Sequence, residues 1–191
     1  MPLPPPPPPP SFGTTARQTR PSPPVVAAQG PRGALLLELV VYNGAPFKDH
    51  WAYFVRSSYN PSAGVMIHAT GDVRNGFQLQ IKRSYDFAST STVPTSRTPL
   101  QWIDGKFLDE KAMLHNGNYK NDDRPVCNFE GSLCKIKVPE KSLNAASQNS
   151  APQKRVVQRN CQTWVVESAD QLVADGILSP EVAVYLHAVK Q

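Results

Sequence analysis

Four short runs of apolar and β-branched residues follow one another between residues 34 and 83, and turn residues separate them. The last run alternates strictly, with Phe77, Leu79 and Ile81 on one face and Gln78, Gln80 and Lys82 on the other. Alternation with a period of two is typical of a strand with one buried face. Because the connections are short, the four runs are predicted to form an antiparallel sheet with strands at 34–42, 50–56, 65–70 and 76–83.

The alternation of side chains along each strand predicts that the two histidines of this region lie on the same face of the sheet. In residues 50–56, the side chains of His50, Ala52 and Phe54 are predicted to face one way, and Trp51, Tyr53 and Val55 the other. In residues 65–70, Met66 and His68 are predicted to share a face. Neighbouring antiparallel strands therefore can place His50 beside His68.

The rest of the chain is predicted to mix helices with one further strand. Helices are expected at 104–116, at 161–175 with Asn160 as N-cap, and at 180–190 after Ser179-Pro180. A strand is predicted at 133–138, where Cys134, Ile136 and Val138 alternate with lysines. Residues 87–99, 118–124 and 141–154 are predicted to be connectors. The fold class is α+β, with an antiparallel sheet packed against the helix that begins near Cys161.

Twelve of the 20 prolines lie within residues 1–31. Such a stretch cannot bury a core, so residues 1–33 are predicted to be a disordered tail with polyproline II character at residues 4–10. Residues 34–191 are predicted to form a single domain. The tail is a candidate ligand for SH3, WW or profilin-type grooves, and the alternative is a solvated tail without a partner.

The net charge of +5 argues little for nucleic-acid binding, because three arginines of the tail contribute most of it. No run of 18 apolar residues and no secretory signal is evident, so we expect no transmembrane segment and a cytoplasmic location. Three cysteines favour a reducing compartment with at least one free thiol. Cys127 and Cys134 do not have a common zinc spacing, and we expect neither a metal nor another cofactor.

Cys161 is predicted to lie in the first turn of a helix, and His50 at the start of a strand. A helix N-terminus and a nearby imidazole both favour the thiolate, which is the nucleophilic form of cysteine. His68 is the candidate that orients His50, with Asp49, Asp72 or a buried amide as alternatives. If these segments meet in space, the chain is predicted to be a thiol enzyme. The alternative to a catalytic role is that Cys161 is a small residue of the hydrophobic core.

These segments resemble a known family. The order of His50-Trp51-Ala52, His68 on the following strand, and Asn160-Cys161 at a helix start is similar to the circularly permuted branch of the NlpC-type papain-like superfamily. In motif it is closest to the lecithin:retinol acyltransferase-like proteins. The resemblance implies a papain-like fold and thiol hydrolysis or acyl transfer through an acyl-cysteine. Gln162 stands where the acyltransferases usually carry Glu.

The predicted catalytic residues are Cys161, His50 and His68. Trp51, Gln162 and Trp164 flank them and are the candidate substrate-binding residues, although tryptophans in such runs are more often core. The substrate is expected to be a small molecule, a lipid or a peptide with an amide or ester bond. A polar cleft would favour amide or peptide substrates, and an apolar groove would favour lipids. The alternative function is a non-catalytic adaptor that binds partners through the proline-rich tail.

Overall fold

The computed structural model describes residues 21–141 and 158–191. The predicted polyproline stretch at residues 4–10 lies outside the described residues, as does most of the predicted loop at 141–154. Residues 21–33 contain no helix or strand. The indole N–H of Trp102 donates a hydrogen bond of 2.8 Å to the carbonyl of Ala27, so contacts with the domain reach back into the predicted tail.

The centre of the fold is a six-stranded antiparallel sheet with the strand order β5-β1-β2-β3-β4-β6. The strands are β1 Leu35–Tyr42, β2 His50–Arg56, β3 Ala63–Asp72, β4 Gly76–Asp86, β5 Ser96–Ile103 and β6 Lys120–Asp122. The four predicted strands of residues 34–83 are therefore confirmed, with β3 and β4 longer at their ends. Short connections between β1, β2, β3 and β4 enforce the antiparallel pairing.

Within residues 21–141 and 158–191, four α-helices accompany the sheet: α1 Glu110–Met113, α2 Asn128–Cys134, α3 Cys161–Ala174 and α4 Pro180–Val189. The main core lies between one sheet face and helices α2, α3 and α4, and it includes Trp51, Tyr53, Phe129, Trp164 and Leu186. The buried hydroxyl of Tyr53 donates a hydrogen bond of 2.7 Å to the carbonyl of Val165, which fixes α3 to β2. The α+β class and the packing of the Cys161 helix on the sheet are confirmed.

The opposite sheet face carries a smaller apolar cluster. Ala52, Phe54 and Met66 are buried there with Val40 and Tyr85. Ala52 and Phe54 lie an even number of residues from His50, and Met66 lies two residues from His68, so the two histidines project from this same face. Trp51, Tyr53 and Ile67 belong to the main core on the other face. The predicted division of β2 and β3 into two faces is therefore confirmed.

The predicted strand at 133–138 is wrong, because residues 128–134 form helix α2. Phe129 and Leu133 are four residues apart and both are buried, which is the spacing of a helix face. Ile136 and Val138 follow the helix and are only partly buried. Over so few residues, periods of two and of 3.6 select overlapping positions, so the alternation of Cys134, Ile136 and Val138 was misleading.

Strand β5 begins in a segment predicted to be a connector, at 87–99, and β6 lies within another, at 118–124. β5 pairs with β1 at the edge of the sheet, and the register shifts between Leu37 and Glu38, beside Pro99. Proline lacks an amide donor and is tolerated at an edge strand or a bulge, so Pro99 is compatible with this edge strand. β6 has three residues and exists only by pairing with β4.

The predicted helix at 104–116 is divided into three short pieces. Asp104 does accept from the Lys106 amide, but it caps a 3-10 turn at Gly105–Phe107. Asp109 caps α1. His115 and Asn116 then adopt positive φ angles of 46° and 54°, which a helix cannot continue through. No helix among the described residues is long and apolar enough to cross a membrane.

Candidate active site

The start of helix α3 is set by a capping box. The side chain of Asn160 accepts from the amide of Thr163 at 3.0 Å, and the Thr163 hydroxyl accepts from the amide of Asn160 at 3.3 Å. This reciprocal pairing satisfies two amides that a helix terminus would leave without partners. Cys161 is consequently the first residue of α3, as the sequence predicted.

The sulfur of Cys161 lies against the backbone on both sides of His50. The thiol is 3.9 Å from the carbonyl oxygen of Asp49, and the amide of Trp51 points at the sulfur. Only 7% of the Cys161 surface is exposed. The fold therefore brings the start of α3 to the start of β2, although 112 residues separate Cys161 from Asp49 along the chain.

His50, His68 and Gln80 form a chain of hydrogen bonds across three strands. His50 Nε2 lies 2.7 Å from His68 Nδ1, and His68 Nε2 lies 3.0 Å from Gln80 Oε1. His68 and Gln80 are directly opposite each other in the β3–β4 register. The expected contact between the two histidines is present, so neither Asp49 nor Asp72 takes the place of His68.

The hydrogen bonds between His50, His68 and Gln80 fix the tautomers of both rings when the rings are neutral. Gln80 Oε1 is an acceptor only, so His68 Nε2 carries the hydrogen and His68 Nδ1 is left as an acceptor. The hydrogen between the two rings then belongs to His50 Nε2. His50 Nδ1 is therefore unprotonated, and an unprotonated ring nitrogen can accept a proton.

Both histidines are held in the neutral form. Burial lowers the pKa of His50, and the positive charge of Lys82 acts in the same direction. Burial, followed by the proximity of His50, lowers the pKa of His68 to about 3. Removing an ion from water disfavours its charged form, and no carboxylate partners either ring to reverse this effect among the described residues.

The thiol is not pre-ionised. Burial raises the pKa of Cys161, and the amides of Trp51 and Gln162 only partly oppose the rise. We expected the helix terminus and an imidazole to lower this pKa, but desolvation is the larger effect here. No hydrogen bond joins the Cys161 sulfur to the His50 ring in the described part of the chain. The alternation of β2 directs this ring to the sheet face opposite the main core, which contains Cys161. Proton transfer thus requires the thiol and the ring to approach.

The three candidate substrate-binding residues are core residues. Trp51 is 3% exposed, and Gln162 and Trp164 have no exposed surface. The Trp164 indole donates to the carbonyl of Ile136 at 3.1 Å. A side chain with little or no exposed surface has little access to a substrate, so the burial of these three residues argues against their predicted role in substrate binding.

Gln162 instead connects α3 to β2 and to the residues after α4. Its amide group donates to the carbonyl of Asp49 at 2.9 Å, and its Oε1 accepts from the amide of Gln191 at 2.9 Å. The Gln191 side chain also bonds the amide and the carboxylate of Asp49. These contacts hold the Asp49 carbonyl, which is the same oxygen that the Cys161 thiol faces.

A cleft of about 340 Å³ opens beside Gln80. Its walls come from β3, β4 and β6 and the residue after it, and they are polar except for one leucine: Thr70, Gln78, Leu79, Gln80, Asn121, Asp122 and Asp123. A larger groove of about 620 Å³ includes Cys127 and Asp175. Asp175 follows the C-terminal end of α3, so this groove lies away from Cys161.

In residues 21–141 and 158–191, no group of three or more His, Cys, Asp or Glu residues could hold a metal ion. Cys127 and Cys134 are partly buried free thiols. Burial is the main cause that raises the pKa of each, so neither is an activated thiol.

Sequence reasoning missed Gln80 and Gln191 as residues of this site. Gln80 was assigned to a solvent face by alternation, and that face is the one that carries the histidines. Pairing His68 with its cross-strand neighbour would have identified Gln80, because residues directly opposite on adjacent strands are in contact. Gln191 carries no comparable signal, since it comes from a distant part of the chain.

Comparison with known proteins identifies one family. A profile described as a family of unknown function (DUF6540) matches residues 37–179. This range contains His50, His68, Gln80 and Cys161. No curated protein and no solved structure matches the chain.

Proposed function

This chain belongs to the DUF6540 family, and we propose that it is a cysteine hydrolase or acyltransferase that acts on an amide or ester through an acyl-Cys161 intermediate. The observation that carries the proposal is the placement of Cys161 at the start of α3, against the backbone on both sides of His50. The hydrogen-bond chain through His68 and Gln80 supports it, because that chain leaves His50 Nδ1 free to act as a base.

In the first step, His50 acts as a general base. The Cys161 thiol approaches the ring, His50 Nδ1 takes the proton, and the sulfur attacks the carbonyl carbon. A neutral imidazole suits this role because the raised pKa of Cys161 keeps the thiol protonated until attack. The free amides at the N-terminus of α3 are suited to stabilise the negative charge that develops on the carbonyl oxygen.

In the second step, the bond between the carbonyl carbon and the leaving nitrogen or oxygen breaks. The proton held on His50 passes to the leaving group, which departs as an amine or an alcohol. The acyl group remains on sulfur as a thioester. His50 then accepts a proton from water or an acceptor amine as that nucleophile attacks, and the thiol is regenerated.

We further propose that the fold is a permuted papain-like fold. An antiparallel sheet carries the histidines on adjacent strands, and the cysteine opens a helix that packs on the other face of that sheet. The order His50, His68, Cys161 along the chain is the permuted order. The match of the His-Trp-Ala and Asn-Cys segments remains the source of this assignment.

Among the possible substrates, the cleft beside Gln80 favours amides and peptides over lipids. Six of its seven lining residues carry a hydroxyl, amide or carboxylate group. Amide and hydroxyl side chains offer hydrogen bonds to a polar substrate and little apolar surface to an acyl chain. Hydrolysis of an amide or peptide bond is therefore the preferred form of the proposal.

The proposal is tested by trapping the acyl-enzyme. Intact mass spectrometry after brief exposure to p-nitrophenyl acetate should detect one acetyl group, and peptide mapping should locate it on Cys161. Cys127 and Cys134 are internal reference thiols that should acetylate more slowly. The Cys161→Ala variant should lose the rapid release of nitrophenolate. Acetylation of all three thiols at equal rates would contradict a nucleophilic Cys161.

The second candidate is a non-catalytic adaptor on the same fold. The exposure of only 7% at Cys161 and the burial that raises its pKa favour this alternative. An adaptor would keep the hydrogen-bond chain as structure and would show no acylation of Cys161. The trapping experiment therefore separates the two candidates directly.

A further inference from the structure

We propose that Lys82 is the substrate-anion site of this enzyme and binds a carboxylate carried by the leaving group. The inference rests on the proposed function and names its substrate class. The substrates are amides whose amine half is an amino acid with a free carboxylate, as in N-acyl amino acids and the last bond of a peptide.

The register of β4 places Lys82 beside the histidines. Lys82 is two residues from Gln80, so both side chains project from the same face of the sheet. Gln80 is directly opposite His68, which makes Lys82 a diagonal neighbour of His68. Diagonal neighbours on adjacent strands lie within reach of long side chains.

The ammonium group of Lys82 is a cation without a counter-ion in the described part of the chain, where no carboxylate lies within 4.0 Å of it. The face of the Tyr85 ring, 5.6 Å from Nζ, is its one cation–π neighbour there. On the adjacent strand, Asp122 is already paired with Arg83 and Lys120. The charge of Lys82 reaches the active site, since it lowers the pKa of both His50 and His68.

The chemistry of cysteine hydrolysis decides which half of the substrate meets Lys82. The imidazolium gives its proton to the leaving group, so the leaving group must lie on the histidine side of the scissile bond. Lys82 projects from the histidine face, beyond His68 as seen from His50. A cation at this position can bind a negative group on the leaving amine.

The cleft beside Gln80, which Lys82 itself does not line, offers hydrogen-bond donors to such a leaving group. Asn121 is directly opposite Lys82 in the β4–β6 register and lines the cleft with Gln78 and Gln80. Asp122 and Asp123 also line it, and their carboxylates would repel a bound carboxylate. A site dominated by these carboxylates would disfavour an anionic leaving group, and the test below distinguishes this outcome.

The test compares two acetate esters that differ only in the charge of the leaving group: 4-acetoxybenzoate, which is anionic, and methyl 4-acetoxybenzoate, which is neutral. The kcat/KM of each is measured at pH 8, where the lowered pKa of His50 keeps that ring neutral. Wild type is compared with Lys82→Gln, Lys82→Arg and Lys111→Gln. Lys111 is an exposed lysine of α1 and serves as the matched control.

Lys82→Gln is expected to lower kcat/KM for the anionic ester, relative to the neutral one, roughly tenfold, as for loss of one charged hydrogen bond. Lys82→Arg should retain most of the preference, and Lys111→Gln should change neither ester. Equal effects of Lys82→Gln on both esters, or a wild-type preference for the neutral ester, would overturn the assignment of Lys82. Failure of wild type to exceed Cys161→Ala on either ester would instead refute the proposed function, and the anion site with it.

Discussion

Two buried polar clusters lie on opposite faces of β4, and they differ in how completely their groups are partnered. The guanidinium of Arg83 is 1% exposed and uses all of its donors, on Asp122, Glu130 and the carbonyls of Met113 and Arg124. The chain of His50, His68 and Gln80 ends instead at a ring nitrogen that accepts no hydrogen bond from a described residue.

This difference separates a structural cluster from a reactive one. Every group around Arg83 is satisfied, so the cluster fixes residues 113–130 against the sheet and leaves nothing to react. At Cys161, the thiol has only a weak contact at 3.9 Å with the Asp49 carbonyl. The ring of His50, which has a free lone pair, projects from the other face of the sheet. Incomplete pairing is the condition for a group that must bind and transform something else.

The largest effect on stability is expected at the satisfied cluster. Arg83→Met should lower the free energy of unfolding by about 3–5 kcal/mol, because Glu130 and Asp122 lose their main partner while Glu130 stays buried. Guanidinium chloride unfolding measures the change. Lys106→Met removes an exposed ion pair with Asp104 and should leave the midpoint unchanged. Equal midpoints for Arg83→Met and wild type would contradict a structural role of this cluster.

A smaller loss of stability is expected where the reactive site is joined to the fold. Gln162→Glu preserves shape but replaces the amide that donates to the Asp49 carbonyl with a carboxylate that cannot donate. The free energy of unfolding should fall by about 1–3 kcal/mol. Thr163→Ser keeps the capping hydroxyl of the same turn and is the control. A variant as stable as wild type would show that this bond does not hold α3 to β2.

His68 is expected to affect activity more than stability. His68→Leu removes the acceptor that fixes the tautomer of His50, so kcat/KM should fall roughly ten- to a hundredfold, as for loss of a supporting hydrogen bond. His68→Gln offers a carbonyl oxygen to the same N–H and should restore part of the loss. An equal loss in both variants would indicate that His68 acts through packing alone.

The pH dependence of stability should reveal the buried neutral histidine. The pKa of His68 is about 3 in the folded chain and near its ordinary 6.5 when unfolded. The unfolded chain therefore binds more protons between these values, and stability falls as pH decreases from about 6.5 toward 3. Unfolding midpoints at pH 7 and pH 5 should differ less in His68→Gln than in wild type. The same difference in both would contradict a depressed pKa.

The parts of the fold that repeat a local pattern were predictable. β2 was predicted with its observed ends because aromatic and β-branched residues fill it, and the shared face of His50 and His68 followed from parity. The start of α3 was predicted from Asn160, whose capping role is local in sequence. These features depend on neighbouring residues, which a sequence displays directly.

The parts that depend on distant partners were not predictable. β6 has no pattern of its own and forms only against β4. In the Arg83 cluster, Asp122 lies 39 positions and Glu130 lies 47 positions after Arg83 along the chain. The alternation of β4 indicated only the sheet face on which Arg83 lies. The raised pKa of Cys161 also follows from burial by the completed core, whereas the sequence displayed only the helix terminus that would lower it.

The measurement that tests the central claim most directly is the rate of Cys161 acylation in His50→Gln. Wild type and variant are mixed with p-nitrophenyl acetate at pH 7.5, and acetylation of Cys161 and Cys127 is followed by mass spectrometry. If His50 is the base, acetylation of Cys161 should slow by about a hundredfold or more while that of Cys127 is unchanged. Equal rates at Cys161 in a variant that remains folded would contradict the pairing of this thiol with His50.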